Sequence, residues 1–416
     1  MEKCFDENVY ILWYHKVFGS TKRGRKALEH YGGDYFEFYN ALYEETDKTG
    51  LIEKMGKNVF KSYSPVDAQL LIEMCEDEFG WKVISCRSPE YPQELLETED
   101  YPHILFCDGD ISILNRSVKV AVVGSRDAKP QAEVFSRNAA YNLAKTGAVI
   151  VSGAALGIDS CAHLGAIEAG GETVGVLGCG LGSDYLDRLC DFYGQIKEHG
   201  VFITEMFPFQ NATKYSFPER NRIIAGLSRS VLVTCAAERS GSLITAKLAR
   251  KQGRRVYAAA PELCSSAGCK KLIENGSYLF YTAGDIAYPI KEFYPDGVFS
   301  EMYCNKPIVS TDDVFTEEMA IPKKKSSSKA SSKKEKAVTE KVSEKSENPA
   351  KSAQEISEFL SDNAKLIYDL IGDSPIIIDD LVASSGLRIN HVLIAVAELE
   401  TEQLIETLPG NRIDKI

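Results

Sequence analysis

Cysteine occurs eleven times, yet no two cysteines form a CxxC pair, and the six histidines are scattered rather than clustered. The closest pair, Cys264 and Cys269, has no histidine nearby to complete a ligand set. These absences argue against a zinc site and a disulfide framework, and favour reduced thiols in a cytoplasmic protein. No apolar run approaches the roughly 20 residues that a membrane-spanning helix needs. Met1-Glu2-Lys3-Cys4 leads into acidic residues rather than a signal-peptide core. A soluble cytoplasmic chain is expected, with no metal, no cofactor and no membrane contact. Positive charge is short overall as well. Against 60 Asp+Glu there are 48 Lys+Arg, a net charge of −12 over 416 residues. That balance argues against a nonspecific nucleic-acid coat protein.

The charge that is present is unevenly placed. Residues 1–117 carry a net −9, 118–260 a net +5, 261–322 a net −6, 323–354 a net +6 and 355–416 a net −8. An anionic ligand is therefore sought in the middle of the chain. The length fits two or three domains, and 44% apolar residues supply their cores.

Residues 1–80 read as short helices broken at Gly19, Gly32-Gly33 and Gly50, a small helical domain of SAM or helix-hairpin-helix type. Its basic knot, Lys22-Arg23-Gly24-Arg25-Lys26, reads either as a phosphate-backbone contact or as a solvated helix start. From Val118 strands and helices alternate. Apolar strands are expected at Val118–Val123, Ala148–Val151, Thr173–Leu177, Val201–Thr204, Val231–Val233 and Arg255–Ala259. Strands this apolar, separated by helices, predict a doubly wound, mostly parallel α/β sheet over residues 85–290. In such sheets ligands bind beyond the carboxyl ends of the strands. Those ends carry Gly124-Ser125-Arg126, Ser152-Gly153, Gly178 and Ser240-Gly241-Ser242, where glycines and helix N-termini favour an oxyanion. Residues 291–354 are assigned to a linker that culminates in a Lys/Ser/Glu-rich run from Lys323. Residues 355–416 read as three helices and a hairpin, a winged-helix layout whose acidity favours docking to protein over reading DNA bases.

The densest functional segment runs from Lys214 to Ser228. Lys214, Arg220 and Arg222 offer charge for phosphates, Phe217 offers a stacking face, and Asn221 lies among them. The competing structural reading pairs Arg220 and Arg222 with Glu205 and Glu219.

In this order, Tyr91-Pro92-Gln93-Glu94-Leu95, Val122-Val123-Gly124-Ser125-Arg126, Ser152-Gly153-Ala154-Ala155-Leu156-Gly157-Ile158-Asp159, Phe217 to Ser228, and Ser240-Gly241-Ser242-Leu243-Ile244-Thr245-Ala246 resemble the DprA (Smf) family of DNA-processing proteins. The resemblance implies an extended Rossmann domain that binds single-stranded DNA, forms a homodimer and loads the RecA recombinase during natural transformation. By motif match Gly124, Ser125 and Arg126 would hold backbone phosphate. Lys214, Phe217, Arg220, Asn221 and Arg222 would line the same pocket, with Ser152, Gly153 and Asp159 on the neighbouring turn. The chain departs from the family at Tyr185-Leu186, Leu189, Cys235-Ala236, Pro261-Glu262 and Lys270.

The contrasting expectation is a phosphoribohydrolase-like nucleotide enzyme on the same type of fold. Such enzymes place a carboxylate in the late Gly-rich loop, and Ser240–Thr245 holds none. Asp159, His163 and Glu205 are the remaining acid–base candidates, but capping and packing roles suit them better, so no catalytic residue is assigned. A dinucleotide site is disfavoured because Gly124-Ser125-Arg126 does not extend to GxGxxG.

Overall fold

The computed structural model describes residues 3–308 except 214, and residues 361–372, 376–387, 392, 395–396, 399, 404–408 and 412–415. The chain divides into two compact units, Met1–Pro322 and Lys323–Ile416.

The first unit opens with α1 (Glu7–Phe18), α2 (Lys22–His30), α3 (Tyr35–Tyr43), α4 (Leu51–Met55), α5 (Lys57–Lys61) and α6 (Pro65–Glu73). Small polar side chains start them. Asp6 and Asp34 accept backbone N–H groups at α1 and α3, and Ser64 and Asp67 cap each other's ends reciprocally at α6. Trp13, Tyr14, Phe38 and Phe60 are buried among these helices. Their cluster is continuous with Tyr91, Phe106 and Val176 of the sheet region, so residues 1–80 share one core with the sheet. The basic knot is divided by this packing. Gly24 sits where a Cβ would meet Phe18 and Tyr14, and the Arg25 guanidinium lies 4.1 Å over the Tyr101 ring, while Lys22, Arg23 and Lys26 stay exposed.

Nine strands form the sheet: β1 (Lys82–Ser85), β2 (Ile104–Gly109), β3 (Lys119–Gly124), β4 (Val149–Ser152), β5 (Thr173–Val176), β6 (Gly200–Thr204), β7 (Ser230–Cys235), β8 (Arg255–Ala259) and β9 (Tyr278–Phe280). Their order is β1-β2-β6-β5-β4-β3-β7-β8-β9. β1 and β2, and β2 and β6, pair antiparallel, and the remaining neighbours are parallel. The predicted parallel sheet is there, with β1, β2 and β9 added to it. The short α7 (Gln93–Leu96) precedes β2. Helices α8 (Pro130–Lys145), α9 (Ile158–Glu168), α10 (Cys190–His199), α11 (Ser216–Leu227), α12 (Gly241–Lys251) and α13 (Ala267–Glu274) come after β3 to β8 in turn, and α14 (Gly284–Ala287) comes after β9.

Lys119, the one charge in β3, is fully buried. Its Nζ donates to Glu94 Oε1 at 3.0 Å and to the Leu114 and Arg116 carbonyls at 2.9 and 2.6 Å. Because β4 and β7 flank β3 on opposite sides, the chain changes its direction of travel across the sheet there, which opens a crevice at the carboxyl ends of β3 and β7.

Residues 291–308 correct the expectation of a linker starting at 291. Tyr294, Cys304 and Ile308 are buried, and Tyr294 and Ile308 join the core on the α8 side of the sheet. The hydroxyls of Tyr294 and Thr146 lie 3.0 Å apart. Aromatic and apolar anchors hold this segment to the sheet, ahead of the polar run that suggested a tether. The Lys/Ser/Glu-rich run itself lies outside the described residues.

In the second unit, Ser361 caps the helix Asp362–Leu370, and a second helix spans Ile378–Ser385. Strands β10 (Ile376–Ile377), β11 (Ile405–Leu408) and β12 (Arg412–Lys415) form an antiparallel sheet in the order β10-β12-β11. Ile367, Leu381, Val392, Val396, Ile405 and Ile413 join in its core. Helices and a β-wing make this the winged-helix unit. Most of the third expected helix, and residues 409–411 of the hairpin, lie outside the described residues.

Candidate nucleic-acid interface

The loop after β3 is held by its own backbone. The Ser125 amide donates to the Cys235 carbonyl at 2.8 Å, and the Ser125 carbonyl accepts from the Ile158 amide at 3.1 Å. A Cβ at Gly124 would fall 2.6 Å from Ile158 and 2.7 Å from the Cys235 carbonyl, so only glycine fits. Gly124 and Ser125 therefore position the loop, and the exposed Arg126 is what it presents. The Arg126 guanidinium lies 4.4 Å over the ring of Phe217.

Phe217 stands in the first turn of α11, half-buried. Its ring packs at Gly178, where a Cβ would come within 2.9 Å, and meets Tyr185 edge-on with centroids 5.5 Å apart. Two strand ends and a helix start thus converge on one mouth: β3 leads to Arg126, the turn after β5 supplies Gly178, and α11 supplies the ring.

Beneath this mouth lies a buried polar layer. Arg220 is 3% exposed, and its Nη1 donates to the Gly153 carbonyl at 2.7 Å and also to the Val176 carbonyl. Asp159, at the start of α9, is buried beside it. A Cβ on Gly153 would strike both the Asp159 carboxylate and the Arg220 guanidinium. Burial pushes the Asp159 carboxyl up, and the charges of Arg220 and Arg126 pull it back. Burial lowers Arg220 to about 10, with Asp159 opposing. Ser152 is fully buried and its hydroxyl donates to the Val122 carbonyl at 2.6 Å. Ser152, Gly153, Asp159 and Arg220 consequently support the mouth from below. This corrects the expectation for Arg220, whose guanidinium is committed to carbonyls rather than offered to phosphate.

Arg222 is corrected more sharply. Five residues on from Phe217, it lies roughly 140° further round a helix of 3.6 residues per turn, so it leaves by another face. Its Nη2 donates to Glu205 Oε2 at 2.5 Å and to the Ser20 hydroxyl at 2.8 Å, which ties α11 to the α1–α2 turn. His15 completes this joint, its Nε2 2.7 Å from the Glu205 carbonyl. The structural pairing with Glu205 therefore holds for Arg222.

Asn221 stays near the surface and donates from Nδ2 to the Gly241 carbonyl at 3.4 Å. That joins α11 to the start of α12, where Ser240 accepts from the Ser242 amide and the two hydroxyls lie 2.8 Å apart. Gly241 is exposed with open space around it. Lys214 lies outside the described residues.

The acid–base candidates are not brought together. His163 is fully buried with Nδ1 2.6 Å from the Thr173 hydroxyl, and burial lowers its imidazole to about 3. Glu205 belongs to the Arg222 joint. Among the described residues no group of three or more His, Cys, Asp or Glu is placed to hold a metal ion.

Tyr185 and Gly178 at the mouth were underrated in the sequence. The first appeared only as a departure from the family pattern, and the second only as a strand end.

Known proteins share this fold and its winged-helix unit. The family model for DNA recombination-mediator protein A matches residues 82–291, and that for the DprA winged helix domain matches residues 348–411. DNA processing protein DprA of Bacillus subtilis (strain 168) is 34% identical over 238 residues, which cover 57% of this chain and 80% of that protein. The X-ray structure of DNA processing protein A from Streptococcus pneumoniae is 31% identical and covers 67% of this chain and 97% of its own, with a TM-score of 0.55. DNA processing protein A from Helicobacter pylori, whose structure is described for its single-stranded DNA binding mode, is 29% identical over 52% of this chain and 97% of its own, with a TM-score of 0.47.

Proposed function

Since this chain belongs to the DprA family of DNA-processing proteins, we propose that it binds single-stranded DNA without sequence preference at the Arg126–Phe217 mouth. The observation that carries the reading is an exposed guanidinium set on a half-buried aromatic ring at the carboxyl edge of a parallel sheet. Guanidinium takes phosphate, the ring has a face suited to an unpaired base, and duplex DNA keeps its bases stacked and out of reach. Asn221 and the Ser240–Ser242 helix start extend the same edge toward the next nucleotide.

Binding to labelled single- and double-stranded oligonucleotides across a salt series tests this. Single strands should bind more tightly, with affinity falling as salt rises because phosphate neutralisation releases counterions. Equal affinity for both forms would overturn it.

The protein acts as a binder, with no catalytic residue, and incubation with nucleoside monophosphates should release no base. In line with the family resemblance, it protects incoming strands and loads RecA during natural transformation. It works as a homodimer. In support, β9 is the last strand in the sheet order and exposes Tyr278 and Leu279, with Tyr281 beside them, an apolar edge suited to a second copy. Light scattering at tens of micromolar should report twice the chain mass, and a monomer there would exclude the dimer.

A further inference from the structure

At the carboxyl ends of β3 and β7, Ser125 and Cys235 line a cavity of about 330 Å³. Its walls include Asp127 and Lys129 at the start of α8, Cys235 at the end of β7, and Cys264 and Ser266 in the segment after β8. The Ser266 hydroxyl accepts the Ala236 amide at 3.2 Å and the Cys269 amide at 3.3 Å, which pins the two chain segments carrying Cys235 and Cys264 to one another. Cys235, next to Ala236, and Cys264, two residues before Ser266, thus line one wall of the same cavity. A third cysteine nearby is turned away. Cys269 is 1% exposed, and its thiol donates to the Val233 carbonyl at 3.3 Å.

We propose that Cys235 and Cys264 form a peroxide-reactive dithiol, with Cys235 the attacking sulfur and Cys264 the resolving one. Cys235 is half-exposed and Cys264 is 9% exposed, both on a cavity wall that a small hydroperoxide can reach. The hydrogen bond from Cys264 favours thiolate at Cys235. Burial opposes it, and the Ser266 hydroxyl and the Lys129 charge assist. The hydrogen bond to Cys235, with burial, holds Cys264 in its protonated form. Asp127 is the opposing charge on the same wall.

In the first step the Cys235 thiolate attacks the outer oxygen of a hydroperoxide. The O–O bond breaks, and the alkoxide leaves as an alcohol after taking a proton from solvent, the equivalent of the one Cys235 released. Cys235 becomes a sulfenic acid. The Cys264 sulfur then attacks that sulfur. The S–O bond breaks, and hydroxide leaves as water with the Cys264 proton. Two thiols and one hydroperoxide thus give one disulfide, one alcohol and one water, with the two electrons delivered to the O–O bond. The inference is independent of the nucleic-acid reading.

The test uses the reduced full-length chain, hydrogen peroxide and peptide mapping by mass spectrometry. The expected product is a Cys235–Cys264 linked peptide, two hydrogens lighter than the sum of its parts and reverted by dithiothreitol. Cys264→Ser should instead accumulate a Cys235 sulfenic acid that dimedone traps, and Cys235→Ser should give neither product. A competition within the unsubstituted chain needs no variant. Cys235 should oxidise ahead of the exposed Cys4. Oxidation of Cys4 at an equal or greater rate, or Cys235 oxidation with no link to Cys264, would overturn the proposal.

Discussion

Arg126 and Arg222 were both expected at phosphate, and the fold sends them to opposite fates. Arg126 is exposed and rests on a ring, whereas Arg222 is 9% exposed and locked to a carboxylate and a hydroxyl. Arg220, two residues from Arg222, has a third fate as a tie between strand ends. A motif counts cations, but helix phase decides which of them meets the ligand. A buried guanidinium committed to carbonyls or a carboxylate contributes to folding, and an exposed one can contribute to binding.

Substitutions that separate folding from binding test this contrast. The largest effect is expected at Arg220. Its replacement by Met strips two buried carbonyls of their donor and leaves Asp159 without its neighbouring cation. That should cost about 3–5 kcal/mol in urea unfolding, and a loss below about 1 kcal/mol would break the assignment. Arg222→Met should come next at about 3 kcal/mol, because Glu205 is left buried with one hydroxyl partner. Its folded fraction should bind single strands as the parent does, and a flattened salt slope would return Arg222 to the interface.

Phe217→Ala should lower affinity by about 1–3 kcal/mol with the salt slope unchanged. Thermal melts must accompany that measurement, since the ring also packs at Gly178 and Tyr185. Normal binding by a destabilised variant would make Phe217 a packing residue only. Arg126→Ala should be the mildest. Stability should stay within about 0.5 kcal/mol, as for most surface positions, while the salt slope flattens by about one phosphate. An unchanged slope would remove Arg126 from the interface.

The legible part of the fold was the part with strong periodic signals. β3 to β8 announced themselves as apolar runs separated by helices, and their shared carboxyl edge stems from that βα alternation. β9 continues the alternation in only three residues, too few for a periodic signal, and β1 and β2 are antiparallel additions outside it. Within the site, Arg126 and Phe217 were recognisable because turn and helix start both lie at the sheet edge. The fate of Arg222 depended on Ser20 and Glu205, a contact across 202 and 17 residues of chain that local spacing does not encode. Residues 291–308 were misread for a related reason. Composition reports average polarity, but Tyr294 and Ile308 suffice to dock the segment.

The guanidinium over Phe217 has one more consequence. While Arg126 lies on that face, an incoming base has no access to it, so the ring is shielded until something draws the cation aside. A phosphate group is the natural competitor, since it offers Arg126 a full charge in exchange for a ring quadrupole. In the proposed binding, backbone capture would then come first and uncover the platform for the base. The protein would in this way ignore free bases and nucleosides in the cell, because neither carries the phosphate that unveils the ring.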